Sequence, residues 1–319
     1  MNIVASADLR PHLDPAMAEA HADATISWVD GQPPGRDIAE PEVLVFSPEA
    51  GLDPAVMGEL GPALGASSLR WFQSPGAGAD HPVFASLLER GVRVTTSAGV
   101  HAEPIAQYVF AHILYLERDI ETHRRLQLDT AWEPQMAGDL TAKTIGIVGV
   151  GGIGAAVARI GRAFGMRVMG IARSTRRSSD VDELLSPDRL HILLAASDYV
   201  VLSVPLTAAT YHLIGADQLA AMKPTAVLVN VARGDVVDEA ALVQALDTGV
   251  IGGAVVDVAA QEPLPADAGL WTARHCIVTP HDSARSPNAT SRVAALFLDN
   301  LARYRAGEAL RNELTTDQL

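Results

Sequence analysis

"TIGIVGVGGIGAAVARI", Thr144–Ile160, is the stretch whose reading decides the fold. A β-branched run leads into Gly149, Gly151 and Gly154 at G-x-G-x-x-G spacing, and the helical pattern "AAVARIGRAFG" follows at once. A glycine triplet alone marks no more than a tight corner. Between a strand and a helix it takes on three uses: the first glycine permits the turn, the second lets a pyrophosphate approach the backbone, and the third lets the helix lie close to the strand. The start of the helix then offers free N–H groups and a positive dipole end to phosphates. The stretch predicts a dinucleotide-binding turn.

Working outward, "MRVMGIA", "YVVLSVP", "TAVLVNVA", "GGAVVDV" and "HCIVTP" repeat the apolar, β-branched pattern after "TIGIVG", which predicts six strands of one doubly wound sheet. Upstream, "MNIVAS", "EVLVFS", "LRWFQS" and "VRVTTS" alternate with helical stretches and predict a second parallel α/β sheet. Two long amphipathic patterns, Glu103 to Leu126 and the tail after Pro287, bracket the glycine-containing sheet. The expected division is therefore a first domain of residues 1–100 and 286–319, with residues 101–285 inserted into it and a cleft between the two. No low-complexity segment or short repeat interrupts this plan.

Composition narrows the function. A hydrophobic fraction of 48% in 319 residues supplies enough side chain for two cores. The net charge of -14, with 38 acidic against 24 basic residues and no basic stripe, argues against nucleic acid as a partner. Charges at Asp8, Arg10 and Asp14 break what would be a secretory leader, and no apolar run reaches membrane-spanning length, so a soluble cytoplasmic protein with no membrane partner is expected. The one cysteine, Cys276, reads as a strand residue, and the histidines show no metal-ligand grouping, so no metal is expected.

Ligands of such sheets bind beyond the carboxyl ends of the strands. Polar residues stand there after apolar runs: Arg233 after "AVLVNVA", Asp257 after "GGAVV", Glu262 in "AAQEPLP" and His281 after "CIVTP". Keto-acid reduction needs a cation for the substrate carboxylate and a proton donor for the developing alkoxide. A guanidinium fork supplies the first and an imidazole the second, and Glu262 is the candidate carboxylate that favours the imidazolium and fixes its orientation. At the end of the strand after the glycine turn, Ala172 stands where an acid would bond the ribose hydroxyls of NAD(H). Arg173, Ser174, Arg176 and Arg177 follow, and guanidinium groups in that loop favour NADP(H), with NAD(H) still possible.

These stretches, with "GAGAD" (Gly76–Asp80), "VPLTAAT" (Val204–Thr210), "NVARGDVVDEAAL" and "TPHDSA", resemble in order and spacing the D-isomer-specific 2-hydroxyacid dehydrogenase family over essentially the whole chain. The resemblance implies α/β architecture, with a Rossmann cofactor domain inserted into a flavodoxin-like substrate domain. It implies a site in which Arg233 anchors carboxylate and keto oxygen, His281 transfers the proton and Glu262 tunes His281. Ala77 and Gly78 would receive the substrate carboxylate through backbone N–H groups. Gly149, Gly151, Gly152, Ile153, Gly154, Arg173, Ser174, Arg176, Val204, Pro205, Thr210, Val231, Ala232, Asp257, His281 and Ser283 would line the cofactor, Asp257 at the nicotinamide carboxamide. Departures from common family patterns are Ala172 with its arginines, Gln107 in "AQYVF", and Asp282 and Ser283 after the histidine. The expected activity is NADPH-preferring reduction of small 2-keto acids such as glyoxylate and hydroxypyruvate to D-2-hydroxy acids, in a homodimer contacting through the helix after Pro104 and the Trp132 loop. The alternatives are a phosphoglycerate dehydrogenase-like NAD enzyme and a dinucleotide-sensing, corepressor-like interaction protein.

Overall fold

The computed structural model describes residues 1–20, 23–31, 40–79, 81–173 and 179–316. The chain divides into two compact units, Met1–His101 with Arg285–Leu319, and Ala102–Ala284.

Unit 1 is built on five parallel strands, β1 (Asn2–Ser6), β2 (Thr25–Val29), β3 (Val43–Val45), β4 (Trp71–Gln73) and β5 (Arg93–Thr95), in the order β2-β1-β3-β4-β5. Helices α1 (Arg10–Ala20), α2 (Pro54–Leu64) and α3 (Val83–Glu89) connect them. The entry to α2 is encoded locally: Asp53 accepts from the Ala55 amide at 2.9 Å, and Pro54 occupies the first turn, where no amide donor is needed. The last helix, α10 (Ala289–Ala306), buries Val293, Phe297 and Leu301 at four-residue spacing and so presents one apolar stripe. Trp71 takes that stripe, with ring centroids 5.2 Å from Phe297 and 5.4 Å from Tyr304. Burial of a ring like Phe297 contributes about 2–3 kcal/mol. Strand β2 was absent from the strands expected from sequence. It is a half-buried edge strand following a helix-like run, so its apolar signal is diluted.

Unit 2 holds seven parallel strands, β6 (Thr144–Val148), β7 (Arg167–Ile171), β8 (Glu183–Leu185), β9 (Tyr199–Leu202), β10 (Val227–Asn230), β11 (Gly253–Val256) and β12 (Cys276–Val278), in the order β12-β11-β10-β9-β6-β7-β8. Six were expected; β8, three residues long and only partly buried at an edge, is the seventh. β6, β9 and β11 are buried along their whole length, as strands covered on both faces must be. The order reverses between β6 and β9, and this switch point lies directly at the glycine turn. Helices α6 (Gly152–Ala163), α7 (Leu190–Ala196), α8 (Ala216–Ala220) and α9 (Glu239–Asp247) complete the crossovers.

The helical pattern from Glu103 to Leu126 is two helices rather than one, α4 (Ala102–Glu117) and α5 (Ile120–Leu128). The break is at Asp119, which adopts φ 46° and caps α5 by accepting from the Thr122 amide. Aspartate tolerates this left-handed conformation, and its short acid competes for backbone donors. Hydrophobic periodicity continues across the break, which is why the pattern hid it.

Candidate active site

The three glycines are required for three different reasons. A Cβ on Gly149, whose φ is 102°, would lie 2.8 Å from the carbonyl oxygen of Ser203. A Cβ on Gly154 would lie 2.2 Å from the carbonyl oxygen of Gly149, so β6 and α6 touch through bare backbone. At Gly151 no protein atom lies within 4 Å of the Cβ position, and the backbone there is open to any side chain. The fold therefore demands glycine at the outer two positions and leaves the middle one for an approaching ligand. Gly152 and Ile153 form the first turn of α6, whose N–H groups and positive dipole end suit a pyrophosphate. The residues present thus fit a dinucleotide.

The other expected cofactor residues that the structure describes lie in unit 2. Ser203 Oγ donates to the Gly149 carbonyl at 2.8 Å and fixes the turn against β9. Val204 is half-buried and Pro205 exposed; Thr210 Oγ1 closes the same loop by donating to the Pro205 carbonyl at 2.6 Å. Val231 and Ala232 are buried just past β10, and Ser283 is buried beyond β12. Ala172 is half-buried and Arg173 exposed after β7. Ser174, Arg176 and Arg177 lie outside the described residues.

Arg233, Glu262 and His281 follow β10, β11 and β12, three neighbouring strands, and so share one edge of the sheet. Asn230 shapes the Arg233 turn: its Oδ1 accepts from the Ala232 amide and its Nδ2 donates to the Arg233 carbonyl, both at 3.0 Å. Arg233 Nη1 donates to the Ala232 carbonyl at 2.7 Å. A Cβ on Gly234 would sit 2.0 Å from the Ala259 carbonyl carbon, so the arginine turn lies directly against the loop that carries Glu262. That loop is held by Glu239, which accepts from the Ala260 amide at 2.6 Å, and by Glu262 Oε1, which accepts from the Ala259 amide at 3.1 Å.

Glu262 Oε2 is 2.8 Å from His281 Nδ1. This contact engages Nδ1, so a ligand of the ring would have to meet Nε2. His281 is held at φ 51°, a left-handed conformation costing about 1–2 kcal/mol for a residue with a Cβ. Its amide donates to the Asp257 carbonyl at 2.8 Å, which over-determines the backbone. Asp257 is 1% exposed: Oδ1 accepts from Thr279 Oγ1 at 2.6 Å and from the Asp282 amide at 3.0 Å, and Oδ2 accepts from the Ser283 amide at 3.2 Å. The buried acid therefore knits together the turn that carries the histidine.

Other sequence candidates resolve differently. Ala77 and Gly78 lie in unit 1, on the turn after β4, where the Gly76 amide donates to Ser74 Oγ at 3.3 Å. Asp80 is outside the described residues. Trp71 and Phe72, both in β4, are fully buried in the core of unit 1. Burial pushes the Cys276 thiol up to about 12, which keeps it protonated and unsuited to nucleophilic work. His112 is half-buried, with Nδ1 at 3.0 Å from the Tyr108 carbonyl. A cavity of about 320 Å³ opens at the opposite, amino edge of the unit 2 sheet, beside Glu117, Lys143 and Tyr199, and takes no part in this arrangement. Among the described residues no group of three His, Cys, Asp or Glu side chains is arranged to hold a metal, and no helix is long and apolar enough to cross a membrane. Sequence reasoning missed Asn230, Gly234 and Glu239. Asn230 carried the signal that exposed Asp257, a polar residue closing an apolar strand; the contacts of the other two exist only in three dimensions.

Residues 110–283 match the profile of the D-isomer specific 2-hydroxyacid dehydrogenase, NAD binding domain. The chain is 40% identical to a glyoxylate reductase of Korarchaeum cryptofilum over 250 residues, 76% of this chain and 75% of that protein. A D-isomer specific 2-hydroxyacid dehydrogenase family protein from Aeromonas salmonicida superposes with a TM-score of 0.84 at 32% identity, covering 98% of each chain. An NADPH-dependent glyoxylate/hydroxypyruvate reductase from Sinorhizobium meliloti, solved with NADP and sulfate, superposes with a TM-score of 0.77 at 25% identity, covering 98% of this chain and 97% of that one. On the profile match and the relatives together, the chain belongs to the D-isomer-specific 2-hydroxyacid dehydrogenase family of oxidoreductases.

Proposed function

We propose that this protein reduces small 2-keto acids, glyoxylate and hydroxypyruvate foremost, to D-2-hydroxy acids with NADPH as the preferred reductant. The observation that carries the reading is the 2.8 Å contact between Glu262 Oε2 and His281 Nδ1, on the sheet edge shared with Arg233. A reduced nicotinamide, when bound, supplies the hydride. Arg233 binds the substrate carboxylate and orients the keto oxygen through its planar fork. His281 delivers the proton from Nε2 to the oxygen as negative charge develops there, while Glu262 holds the ring in orientation through Nδ1. Asp257 Oδ2, which accepts one amide, has capacity left for a carboxamide N–H.

The relatives named glyoxylate reductase support the substrate class, and the Sinorhizobium complex with NADP supports the cofactor. So do Ala172 in place of an acid and the arginines after β7. In the same reading the protein is a homodimer whose contact includes the end of α5 and the segment after it, where Leu128, Trp132 and Met136 are 71%, 96% and 99% exposed. The test is NADPH and NADH oxidation with a panel of 2-keto acids and chiral analysis of the product. A tenfold preference for NADH would overturn the cofactor assignment, and no turnover with any keto acid would overturn the activity.

A further inference from the structure

We propose that Tyr108, on α4, is a positioning residue for proton transfer, acting on the His281 turn through a directed chain of hydrogen bonds, Tyr108 to Thr279 to Asp257. The proposal rests on the reading of His281 as the proton donor.

Thr279 Oγ1 lies 2.6 Å from Asp257 Oδ1 and 2.5 Å from Tyr108 Oη. The threonine hydroxyl carries one proton, and the carboxylate oxygen can only accept, so that proton belongs to the Asp257 bond. The Tyr108 phenol is then the donor to Thr279. Its burial raises the phenol well above its ordinary value, which keeps it a donor across any assay range. The direction of both bonds is thus fixed by chemistry, and each hydroxyl polarises the next toward the acid.

The acid at the end of the chain also accepts the amides of Asp282 and Ser283, and its own carbonyl accepts the amide of His281. His281 sits at φ 51°, so its backbone depends on these bonds to stay in place. Tyr108 is itself held from behind: the His112 ring packs at 4.2 Å from its centroid, and His112 Nδ1 meets the Tyr108 carbonyl. The chain therefore runs from one helix of unit 2 to the catalytic turn without a gap. The reaction as otherwise described uses neither Tyr108 nor Thr279.

The experiment compares Tyr108→Phe, Thr279→Val, Thr279→Ser and the double variant Tyr108→Phe/Thr279→Val in steady-state keto-acid reduction, with hydrogen exchange at the Asp282 and Ser283 amides. Tyr108→Phe is expected to lower kcat roughly 3- to 10-fold, with both KM values within about twofold and the two amides exchanging several-fold faster. Thr279→Val is expected to cost about tenfold or more, Thr279→Ser to retain most activity, and the double variant to be no slower than Thr279→Val alone, since both break one chain. Unchanged kcat and unchanged exchange in Tyr108→Phe, or losses that multiply in the double variant, would overturn the proposal. A wild-type protein without turnover would instead overturn the reading of the activity, and amide exchange would still judge the chain.

Discussion

The glycine turn makes the sharpest prediction, because two neighbouring glycines should fail in different ways when replaced by alanine. In Gly154→Ala the new methyl meets the Gly149 carbonyl oxygen at 2.2 Å, and β6 and α6 must separate by roughly 1 Å to restore ordinary contact. Overpacking against backbone falls in the upper part of the usual range, about 2–3 kcal/mol, against a gain of about 1 kcal/mol from the better helix propensity of alanine, a net loss of about 1–2 kcal/mol. The loss wins because the obstacle is backbone and not the end of a flexible side chain. For a unit of this size each kcal/mol moves Tm by about 2–4 °C, so Tm should fall by about 2–8 °C. Gly151→Ala meets no atom within 4 Å at φ -93°, so Tm should stay within about 1 °C of wild type. Its methyl, however, stands where a pyrophosphate approaches, and the Kd for NADPH should rise at least about tenfold, or 1.4 kcal/mol. Thermal unfolding without ligand and calorimetric titration with NADPH separate the two effects. Wild-type affinity in Gly151→Ala would refute the phosphate assignment, and an unchanged Tm in Gly154→Ala would refute the packing argument.

Five further outcomes follow from the site and the scaffold. Arg233→Lys keeps the charge but loses the fork, and kcat/KM for keto acids should fall about 100-fold or more; near-normal kinetics would remove Arg233 from substrate binding. His281→Ala should abolish reduction while the calorimetric Kd for NADPH stays within about twofold, and Glu262→Gln should lower kcat about 10- to 100-fold. In unit 1, Arg93 grips Glu313 with two hydrogen bonds, at 2.6 and 2.8 Å, and this pairing holds the Glu313 carboxyl below its ordinary 4.5. A depressed acid stabilises the fold above its unfolded value and ceases to do so as pH falls through the folded one, so Glu313→Gln should cost about 1 kcal/mol at pH 7 and nothing near pH 2, read by urea unfolding at each pH. The half-buried thiol of Cys276, pushed up to about 12, should react slowly with alkylating reagents at pH 8 in the folded protein and rapidly in denaturant; equal rates in both would contradict its partial burial.

Much of this was legible in the chain because function sits where a buried strand must end. Arg233, Asp257 and His281 each interrupt an apolar run, and a polar side chain at such a place stands out in one dimension. The glycine triplet was readable for the same reason, framed by a strand and a helix. What escaped was set by tertiary contact. β2 and β8 are edge strands with one neighbour each, so they need little apolar content and leave little pattern. The break at Asp119 falls inside an unbroken amphipathic stripe, where a single aspartate in a left-handed conformation ends α4 without disturbing the periodicity. Glu239 reaches the Ala260 amide from 21 positions away in the chain, a partner no local rule names.

The split of unit 1 into Met1–His101 and Arg285–Leu319 bears on how the molecule is made. Unit 2 is one continuous stretch and is complete when Ala284 leaves the ribosome. Trp71, synthesised long before, waits for Phe297 and Tyr304 to cover it. Until then the nascent chain displays a bare apolar sheet face, while the nucleotide-binding portion already has every residue it needs to fold. Chains truncated near residue 285 and released from the ribosome should accordingly retain dinucleotide affinity yet recruit holdase chaperones, which chains carrying the final helix do not retain.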